Sequence, residues 1–315
     1  MRLIQGDCRE AMRDLPDNSV DAVVCDPPYG LGKEPDMAEV LAHWLAGDEH
    51  TETGGGFMGK TWDSFVPGPE YWRECYRVMK PGAYLLAFCG TRTLDLMGVA
   101  MRLAGFTRRD TLSWLFGSGF PKSLDVSKAI DKQAGAEREV VGTRKKWMAH
   151  EGEKHSARGL MFCQDGYVGD LPVTAPATPE AAQWDGWGTA LKPAWEAVLL
   201  CQKPLEGTYA ANVLKWGCGS LNIDGCRIGM ATADREIVDR RSGAGFGSIQ
   251  CEFAGRGPGE RFKSAEGGRW PANVMLSPEA AAMLDEQSGT EVSRFFYRAK
   301  AARWERDFGL DGFEE

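Results

Sequence analysis

The sequence lacks the features that would place it in or across a membrane. No apolar run approaches the ~20 residues that a membrane-spanning helix needs. The opening residues, Met1-Arg2-Leu3-Ile4-Gln5-Gly6-Asp7, do not contain the apolar stretch of a signal peptide. We therefore expect a cytoplasmic protein with no membrane partner.

Paired cysteine motifs are also absent. The chain has nine cysteines, but no two of them form a Cys-x-x-Cys pair, and most lie in apolar surroundings. This pattern indicates neither a zinc site nor a disulfide framework. We expect reduced, largely buried thiols and no bound metal.

An excess of positive charge is missing as well. Lys and Arg number 37 against 45 Asp and Glu, which gives a formal net charge of -8 over 315 residues. This balance argues against a protein that coats nucleic acid by bulk charge, although a local basic patch stays possible. The length suits one large domain or two modest ones.

The first half of the chain alternates short β-branched runs with helical patterns. This alternation predicts an α/β fold with a mostly parallel sheet covered by helices. Strands are predicted at 20–25, 83–89, 110–116 and 197–201, and helices at 69–79, 93–103, 124–133 and 277–286.

Two polar or glycine-rich stretches interrupt this pattern, and no internal repeat is present. We expect an α/β core, a basic inserted lobe, a return to the core, a lobe rich in Gly and Arg for target recognition, and a C-terminal segment. Their predicted bounds are 1–121, 122–187, 188–206, 207–268 and 269–315.

The tetrapeptide Asp26-Pro27-Pro28-Tyr29 directly follows the first predicted strand. Ligand-binding groups of open α/β sheets lie at the carboxyl ends of strands. There Asp26 can accept a hydrogen bond from an amine, a carbonyl before the second proline can accept another, and Tyr29 offers a flat face to a planar ring. This arrangement suits methylation of an exocyclic amine. The alternative is a Pro-rich strand exit with an Asx-turn.

Six segments together resemble the DNA amino-methyltransferases that use S-adenosylmethionine. The likeness is to the permuted class, in which the catalytic motif precedes the cofactor motif, and especially to members from phages and mobile elements. The resemblance implies a partial Rossmann-like methyltransferase sheet with helices on both faces. The segments are 3–8, 19–30, 77–82, 114–123, 190–196 and 269–274.

The resemblance implies a site-specific enzyme that methylates a flipped base of double-stranded DNA, as in restriction-modification. Asp26 and the Pro27 carbonyl would hold the amine, Pro28 would keep the turn rigid, and Tyr29 would stack on the base. Trp114 or Phe116 could cover the other face of the base, or simply pack in the core. The Asp form of the motif favours adenine N6 over cytosine N4.

The sequence departs from this family where the cofactor should bind. A Phe-x-Gly-x-Gly loop is expected near the C-terminus, and only Asp7 and Asp26 remain as candidate cofactor contacts. The Gly-rich stretches at 116–120 and 243–248 are weak substitutes. We expect a truncated chain, an enzyme completed by a second polypeptide or a second copy, or a degenerate member kept for DNA binding.

Basic residues in the two predicted lobes are candidates for DNA contact, although solvated loops would look the same. Lys192 and Trp195 could line the crevice or could open a helix and pack there. The DNA-contact candidates are Arg144, Lys145, Lys146, Arg227, Arg240 and Arg241.

Two further functions stay open at this point. One is a DNA-binding protein without catalysis that derives from the methyltransferase fold. The other is methylation of RNA or of a protein amide, which is less favoured because relatives that act on glutamine usually have Asn where this chain has Asp26.

Overall fold

The computed structural model describes residues 3–30, 32, 35–50, 61–117, 119, 123–147, 167–230 and 268–297. The chain divides into two compact units. The core unit comprises Met1–Leu115 and Trp195–Glu315, and the inserted unit comprises Phe116–Ala194.

The described helices and strands alternate along much of the chain. The strands are β1 (Val20–Cys25), β2 (Met79–Cys89), β3 (Thr107–Leu115), β4 (Val140–Trp147), β5 (Tyr167–Thr174), β6 (Trp195–Gln202) and β7 (Val274–Leu276). The helices are α1 (Cys8–Arg13), α2 (Met37–Ala46), α3 (Pro69–Val78), α4 (Leu94–Leu103), α5 (Val126–Ala134), α6 (Pro179–Gln183), α7 (Tyr209–Trp216) and α8 (Pro278–Ser288).

The sheet of the core unit has the strand order β1-β2-β6-β3-β7. β1 pairs parallel to β2 and β3 pairs parallel to β7, whereas β6 is antiparallel to both of its neighbours. All strands of this sheet except β6 therefore run in one direction. The predicted α/β class with a mostly parallel sheet is confirmed.

One face of this sheet carries the hydrophobic core. Leu85, Ala87 and Cys89 alternate along β2, and each is fully buried. They pack in one cluster with residues of α2, α3 and α4, among them Trp44 and Met97. Burying a Leu or Met side chain stabilises the fold by roughly 1.5–3 kcal/mol. This cluster therefore holds the three helices on the sheet.

The second face is covered less evenly. Near the middle of β2, Tyr209 of α7 approaches Tyr84 and donates a hydrogen bond of 3.5 Å to Gln202 Oε1. At the outer strand β1, by contrast, Val24 is 70% exposed. Among the described residues, β1 has a strand neighbour on its β2 side alone.

The sequence pattern predicted most elements of the core unit to within a few residues. The strand over 20–25 is confirmed, and the helix predicted over 69–79 spans Pro69–Val78 with its proline in the first turn. β2 is longer than predicted because Met79, Lys80 and Pro81 already belong to the strand.

The region from 122 to 187, predicted to be irregular apart from one helix, is more ordered than expected. β4 and β5 form an antiparallel two-stranded sheet, and α6 follows them. The Asp131 side chain is 1% exposed and accepts hydrogen bonds from Arg138 Nη1 at 2.6 Å and from Thr178 Oγ1 at 2.8 Å. This network ties α5 to the segments before β4 and α6.

The predicted glycine-rich lobe over 207–268 begins with α7, which belongs to the core unit. Asn212 of α7 is fully buried and donates a hydrogen bond of 2.9 Å to the Pro81 carbonyl. Residues 231–267 of this lobe lie outside the described residues. The five predicted domain boundaries stay predictions. None of the described helices is long and apolar enough to cross a membrane.

Candidate active site

The candidate site lies at one edge of the core-unit sheet. β1, β2 and β3 end at this edge, and the antiparallel β6 begins there. Asp26-Pro27-Pro28-Tyr29 directly follows β1, and Gly90 directly follows β2. We call this side of the sheet the carboxyl edge. Open α/β sheets bind their ligands at such an edge.

The backbone of Tyr29 and Gly30 is held by three hydrogen bonds to two side chains. Its N–H donates a hydrogen bond of 2.8 Å to Asp63 Oδ1, and the Gly30 N–H donates to the same oxygen at 3.1 Å. The Tyr29 carbonyl accepts a hydrogen bond of 2.6 Å from Thr93 Oγ1. The turn after β1 is thus tied to the segment before α3 and to the cap of α4.

Sequence reasoning missed Asp63 as a site residue. Its side chain is 5% exposed, so its carboxylate is removed from solvent and held by backbone donors. Asp63 lies more than 30 residues from Tyr29 along the chain. No motif around Asp63 relates it to the tetrapeptide, and only the fold brings the two together.

Gly30 allows the close approach that this clamp requires. Its φ is +65°, a left-handed conformation that glycine adopts without strain. A Cβ on this residue would also lie 2.9 Å from the Val66 backbone nitrogen. A larger residue at position 30 would therefore displace the turn that carries Tyr29.

The Tyr29 side chain lies over the end of β2, where Gly90 leaves space for it. A Cβ on Gly90 would lie 3.5 Å from Tyr29 Cβ and 3.6 Å from Tyr29 Cδ2. Glu196, at the start of β6, lies close enough for its charge to act on Tyr29. Burial first, and then the negative charge of Glu196, raises the pKa of Tyr29 well above its ordinary value. The phenol is therefore neutral at physiological pH.

The remaining residues of the tetrapeptide lie beside Tyr29. Asp26 is exposed, and Pro27 and Pro28 are half-buried. The two prolines cannot donate ladder hydrogen bonds, which is why β1 ends at Cys25 and Asp26 leaves the sheet.

The two aromatic residues predicted to cover the base lie in different units. Trp114, in β3, is half-buried and is the register partner of Glu196. Phe116 begins the inserted unit, and its N–H donates a hydrogen bond of 2.9 Å to the Ala194 carbonyl. The stacking roles of Tyr29, Trp114 and Phe116 stay predictions.

Asp7, a predicted cofactor contact, has a clear structural role as the N-cap of α1. It accepts a hydrogen bond of 2.8 Å from the Arg9 N–H. This bond and the Arg9 side chain lower the pKa of Asp7. Arg9 in turn lies 4.3 Å from the centre of the Tyr71 ring. A cofactor role for Asp7 stays a prediction.

The described residues do not fit a cradle for S-adenosylmethionine. No glycine-rich turn follows a strand beside β1 in the part of the chain that the structure describes. In the Gly-rich stretch over 116–120, a Cβ on Gly119 would lie 1.7 Å from the Pro193 carbonyl oxygen. This glycine is therefore packed against backbone. The stretch over 243–248 lies outside the described residues.

The candidate DNA contacts differ in how they are held. Arg144 is exposed in β4, and Lys145 and Lys146 follow it in the same strand. Arg227 donates a hydrogen bond of 2.7 Å to Asp224 Oδ1, and its side chain is 14% exposed. Arg240 and Arg241 lie outside the described residues. All six contacts stay predictions.

The two residues predicted to line the crevice or pack locally have different surroundings. Lys192 donates a hydrogen bond to the Gly117 carbonyl within the inserted unit. Trp195 opens β6, and its side chain is 37% exposed.

The described cysteines are unpaired thiols. Cys75, Cys89 and Cys201 are buried, and burial raises the pKa of Cys75 and Cys89 to about 12. Cys163 and Cys251 lie outside the described residues. In the part of the chain that the structure describes, no three His, Cys, Asp or Glu side chains are grouped as metal ligands.

Part of the chain, including the tetrapeptide, is similar to known proteins. The DNA methylase family N6_N4_Mtase matches residues 20–131. YubD of Escherichia coli (strain K12), described by name as a methylase, is 33% identical over 106 residues, which are 34% of this chain and 39% of YubD. The type II methyltransferase M.HpaI of Haemophilus parainfluenzae is 25% identical over 131 residues, which are 41% of this chain and 36% of M.HpaI.

The chain thus spans about two-fifths of the length of these relatives. Among solved structures, the cytosine-N4-specific PvuII DNA methyltransferase aligns with a TM-score of 0.29 at 11% identity, over 93% of this chain and 77% of its own. A TM-score this low supports no conclusion about the fold. The family match begins with β1, includes the tetrapeptide and ends within α5. Residues 20–131 of the chain are thus similar to the N6/N4 DNA methylase family.

Proposed function

We propose that this chain carries the catalytic half of a DNA amino-methyltransferase that transfers a methyl group from S-adenosylmethionine to an exocyclic amine of a flipped base. The observation that carries the proposal is the turn after β1. Asp26 and Tyr29 lie there at the carboxyl edge, on a backbone that Asp63 and Thr93 hold in place. A family match over the same residues supports it.

In this proposal, the tetrapeptide binds and orients the amine. The Asp26 carboxylate accepts one amine hydrogen and the Pro27 carbonyl accepts the other, so the nitrogen lone pair turns toward the methyl donor. S-adenosylmethionine, when bound, supplies an electrophilic methyl group. The nitrogen would form its bond to that methyl carbon as the carbon–sulfur bond breaks, and would lose a proton to solvent afterwards, so no side chain has to act as a general base before the attack.

Tyr29 provides the stacking surface for the flipped base. A base that leaves the duplex loses stacking energy, and contact with an aromatic ring returns about 1–3 kcal/mol per base. The neutral phenol suits this role because it keeps negative charge away from the ring. The Asp form of the motif favours adenine N6, with cytosine N4 as the second candidate.

The cofactor cradle is proposed to come from outside the described residues. Among the described residues, β1 has a strand neighbour on its β2 side alone, so a further strand could continue the sheet on its other side. A second polypeptide or a second copy of the chain would serve. Double-stranded DNA is the proposed substrate, with the exposed Arg144 and its neighbours in β4 as phosphate contacts.

Methyl transfer from labelled S-adenosylmethionine to unmodified genomic DNA tests this proposal. The DNA is digested to nucleosides after the reaction, so that N6-methyladenine and N4-methylcytosine are separated. We expect label in N6-methyladenine when the sheet is completed by its partner. Label in RNA or protein but not in DNA would overturn the proposal. DNA binding without any transfer in the completed assembly would favour the non-catalytic alternative.

A further inference from the structure

Arg227 and Trp270 are held opposite each other by a short backbone pairing in the core unit. The Ile228 N–H donates a hydrogen bond of 3.1 Å to the Arg269 carbonyl, and the Arg269 N–H donates one of 2.8 Å to the Ile228 carbonyl. In such an antiparallel pairing, the flanking residues Arg227 and Trp270 lie across from each other. The Arg227 guanidinium carbon is 5.5 Å from the centre of the Trp270 ring, and Trp270 is 65% exposed.

The Arg227 side chain is fixed by hydrogen bonds within the protein. Its Nε donates a hydrogen bond of 2.7 Å to Asp224 Oδ1, and its Nη1 donates one of 3.2 Å to the Gly268 carbonyl. A guanidinium within about 6 Å of an aromatic ring is attracted to the face of that ring. Trp270 is therefore supported by Arg227 and open to solvent over most of its surface.

Phe295 is a second exposed ring of the core unit, and two arginines lie over it. The guanidinium carbons of Arg269 and Arg294 are 4.6 Å and 4.8 Å from the centre of the ring, and Phe295 is 42% exposed. Arg269 Nη1 also donates a hydrogen bond of 3.4 Å to the Arg294 carbonyl, directly before Phe295. We call the five residues Arg227, Arg269, Trp270, Arg294 and Phe295 the arginine–aromatic surface.

The segment that carries Phe295 leads to the carboxyl edge. The Tyr297 carbonyl, two residues after Phe295, accepts a hydrogen bond of 3.0 Å from the Leu276 N–H at the end of β7. Met275 of β7 is in turn the register partner of Trp114 in β3. Because β7 runs parallel to β3, which ends at the carboxyl edge, this segment reaches the same side of the sheet as the tetrapeptide.

We propose that the arginine–aromatic surface binds unpaired nucleotides of the DNA substrate, with Trp270 and Phe295 stacking on bases and the arginines contacting phosphates. The inference rests on the proposed function, in which a base leaves the duplex at the carboxyl edge and base pairing is lost there. Sites for single-stranded nucleic acid combine aromatic rings that stack on bases with basic side chains that follow the backbone.

The composition of the surface favours nucleic acid over an apolar protein partner. Each of the two exposed rings has a guanidinium against it, so an occupant has to offer planar rings and negative charge together. Every nucleotide offers both. Of the nearby acids, Asp224 is paired with Arg227, and the Asp285 carboxylate accepts hydrogen bonds of 2.7 Å and 2.6 Å from the N–H and the hydroxyl of Ser293.

The first test measures binding of fluorescein-labelled oligothymidylate to the full-length chain by fluorescence anisotropy. Thymine has no exocyclic amine, so this probe reports on the surface and is not a methylation substrate. We expect Trp270→Ala to raise Kd about tenfold, which corresponds to roughly 1.4 kcal/mol, and Trp270→Phe to keep most of the affinity. Trp187→Ala, at a 59% exposed tryptophan of the inserted unit, is the matched control and should leave Kd unchanged.

A salt series separates stacking from phosphate contact. Arg294→Gln should lower the slope of log Kd against log salt concentration by about 0.7, because one phosphate contact is lost. Trp270→Ala should weaken binding at every salt concentration and leave the slope unchanged. Circular dichroism confirms that each variant is folded. An unchanged slope in Arg294→Gln would overturn the phosphate contact of this arginine.

Crosslinking locates the contact directly. An oligonucleotide with 5-iododeoxyuridine in place of thymidine is irradiated in the complex, and mass spectrometry of the digested adduct should identify Trp270 or Phe295. Crosslinks confined to other residues overturn the inference, and so does a folded Trp270→Ala protein with the Kd of the parent.

The outcomes separate this inference from the proposed function. Crosslinks at Trp270, together with the loss of affinity in Trp270→Ala, support the surface even if the completed assembly transfers no methyl group, and in that case the proposed function alone is wrong. Methyl transfer to DNA combined with an unchanged Kd in Trp270→Ala would overturn the surface alone.

Discussion

The Asp63 carboxylate holds the backbone of the turn after β1 in place. A single oxygen accepts hydrogen bonds from two successive N–H groups, those of Tyr29 and Gly30. Buried donors that lose their acceptor destabilise a fold because water does not replace the lost hydrogen bond. Asp63 therefore links the stability of the core unit to the position of Tyr29.

We expect Asp63→Ala to lower the free energy of unfolding by roughly 2–3 kcal/mol and to reduce methyl transfer strongly. Asp63→Asn keeps an acceptor oxygen and should lose less of both. Urea denaturation followed by tryptophan fluorescence measures the stability. Equal stability of Asp63→Ala and the parent would show that the two N–H groups do not depend on this carboxylate.

Buried thiols make the stability of the fold sensitive to alkaline pH. Burial raises the pKa of Cys25, Cys75 and Cys89 from 9.0 to about 12. Between these values the unfolded chain loses protons that the folded chain keeps. The free energy of unfolding is therefore unaffected by these thiols below pH 9 and falls as the pH rises toward 12.

Cys89→Ala should reduce the steepness of this alkaline loss, because one raised pKa is removed and each pKa unit corresponds to about 1.4 kcal/mol. Cys89 is fully buried, and alanine leaves only a small cavity. Urea denaturation at a series of pH values measures the effect. Identical pH profiles for the parent and Cys89→Ala would contradict the proposed origin of the alkaline loss.

The strand β1 carries the tetrapeptide and, among the described residues, lies at one end of the sheet. It pairs with β2 on one side, and Val24 on its second face is 70% exposed. A strand with one neighbour opens more easily than a strand with two. The candidate site therefore lies at the end of a strand, β1, that pairing with a further strand would stabilise.

Hydrogen exchange of the chain alone should therefore be faster in β1 than in β2 and β6, which have neighbours on both sides. Mass spectrometry of peptides that cover the three strands measures the exchange. If the partner proposed above completes the sheet, its addition should slow exchange in β1 most. Equal protection of the three strands in the chain alone would show that β1 is already covered.

The sequence predicted the elements whose residues carry a local pattern. β1 was recognised by its run of β-branched residues and by the two prolines that end it. Asp63 could not be assigned its role, because its contact with the turn after β1 depends on how distant segments of the chain come together. Glu196 lies just before a predicted strand, but its place at the carboxyl edge follows only once β6 is known to run antiparallel.

The β4–β5 sheet was missed for a different reason. Val140–Trp147 contains Gly142, Thr143 and consecutive basic residues, so apolar and polar residues do not alternate. Such a strand forms because the partner strand supplies backbone hydrogen bonds, and this pairing leaves little trace in the local sequence.

For the whole molecule, the inserted unit interrupts a hairpin of the core unit. Leu115 at the end of β3 pairs with Trp195 at the start of β6, and the inserted unit spans Phe116–Ala194 between them. The hydrophobic cluster on the sheet contains residues of the core unit alone among those described. The core unit should therefore keep its fold without the insertion.

We expect a chain in which Asn-Gly replaces Phe116–Ala194 to unfold in one cooperative transition. Its affinity for DNA should fall, and the dependence of that affinity on salt should become weaker, because Arg144, Lys145 and Lys146 are removed. Calorimetry and DNA titration at several salt concentrations measure both effects. Unchanged DNA affinity would show that the contacts lie elsewhere.

The proposed function requires that the turn after β1 holds the amine that becomes methylated. Methyl transfer to DNA and DNA binding are to be measured side by side for the parent, Asp26→Ala and the control Glu286→Ala, each in the completed assembly. We expect Asp26→Ala to lose transfer by more than about a hundredfold while its Kd for DNA stays close to that of the parent. Transfer that persists in Asp26→Ala at the level of Glu286→Ala would contradict it.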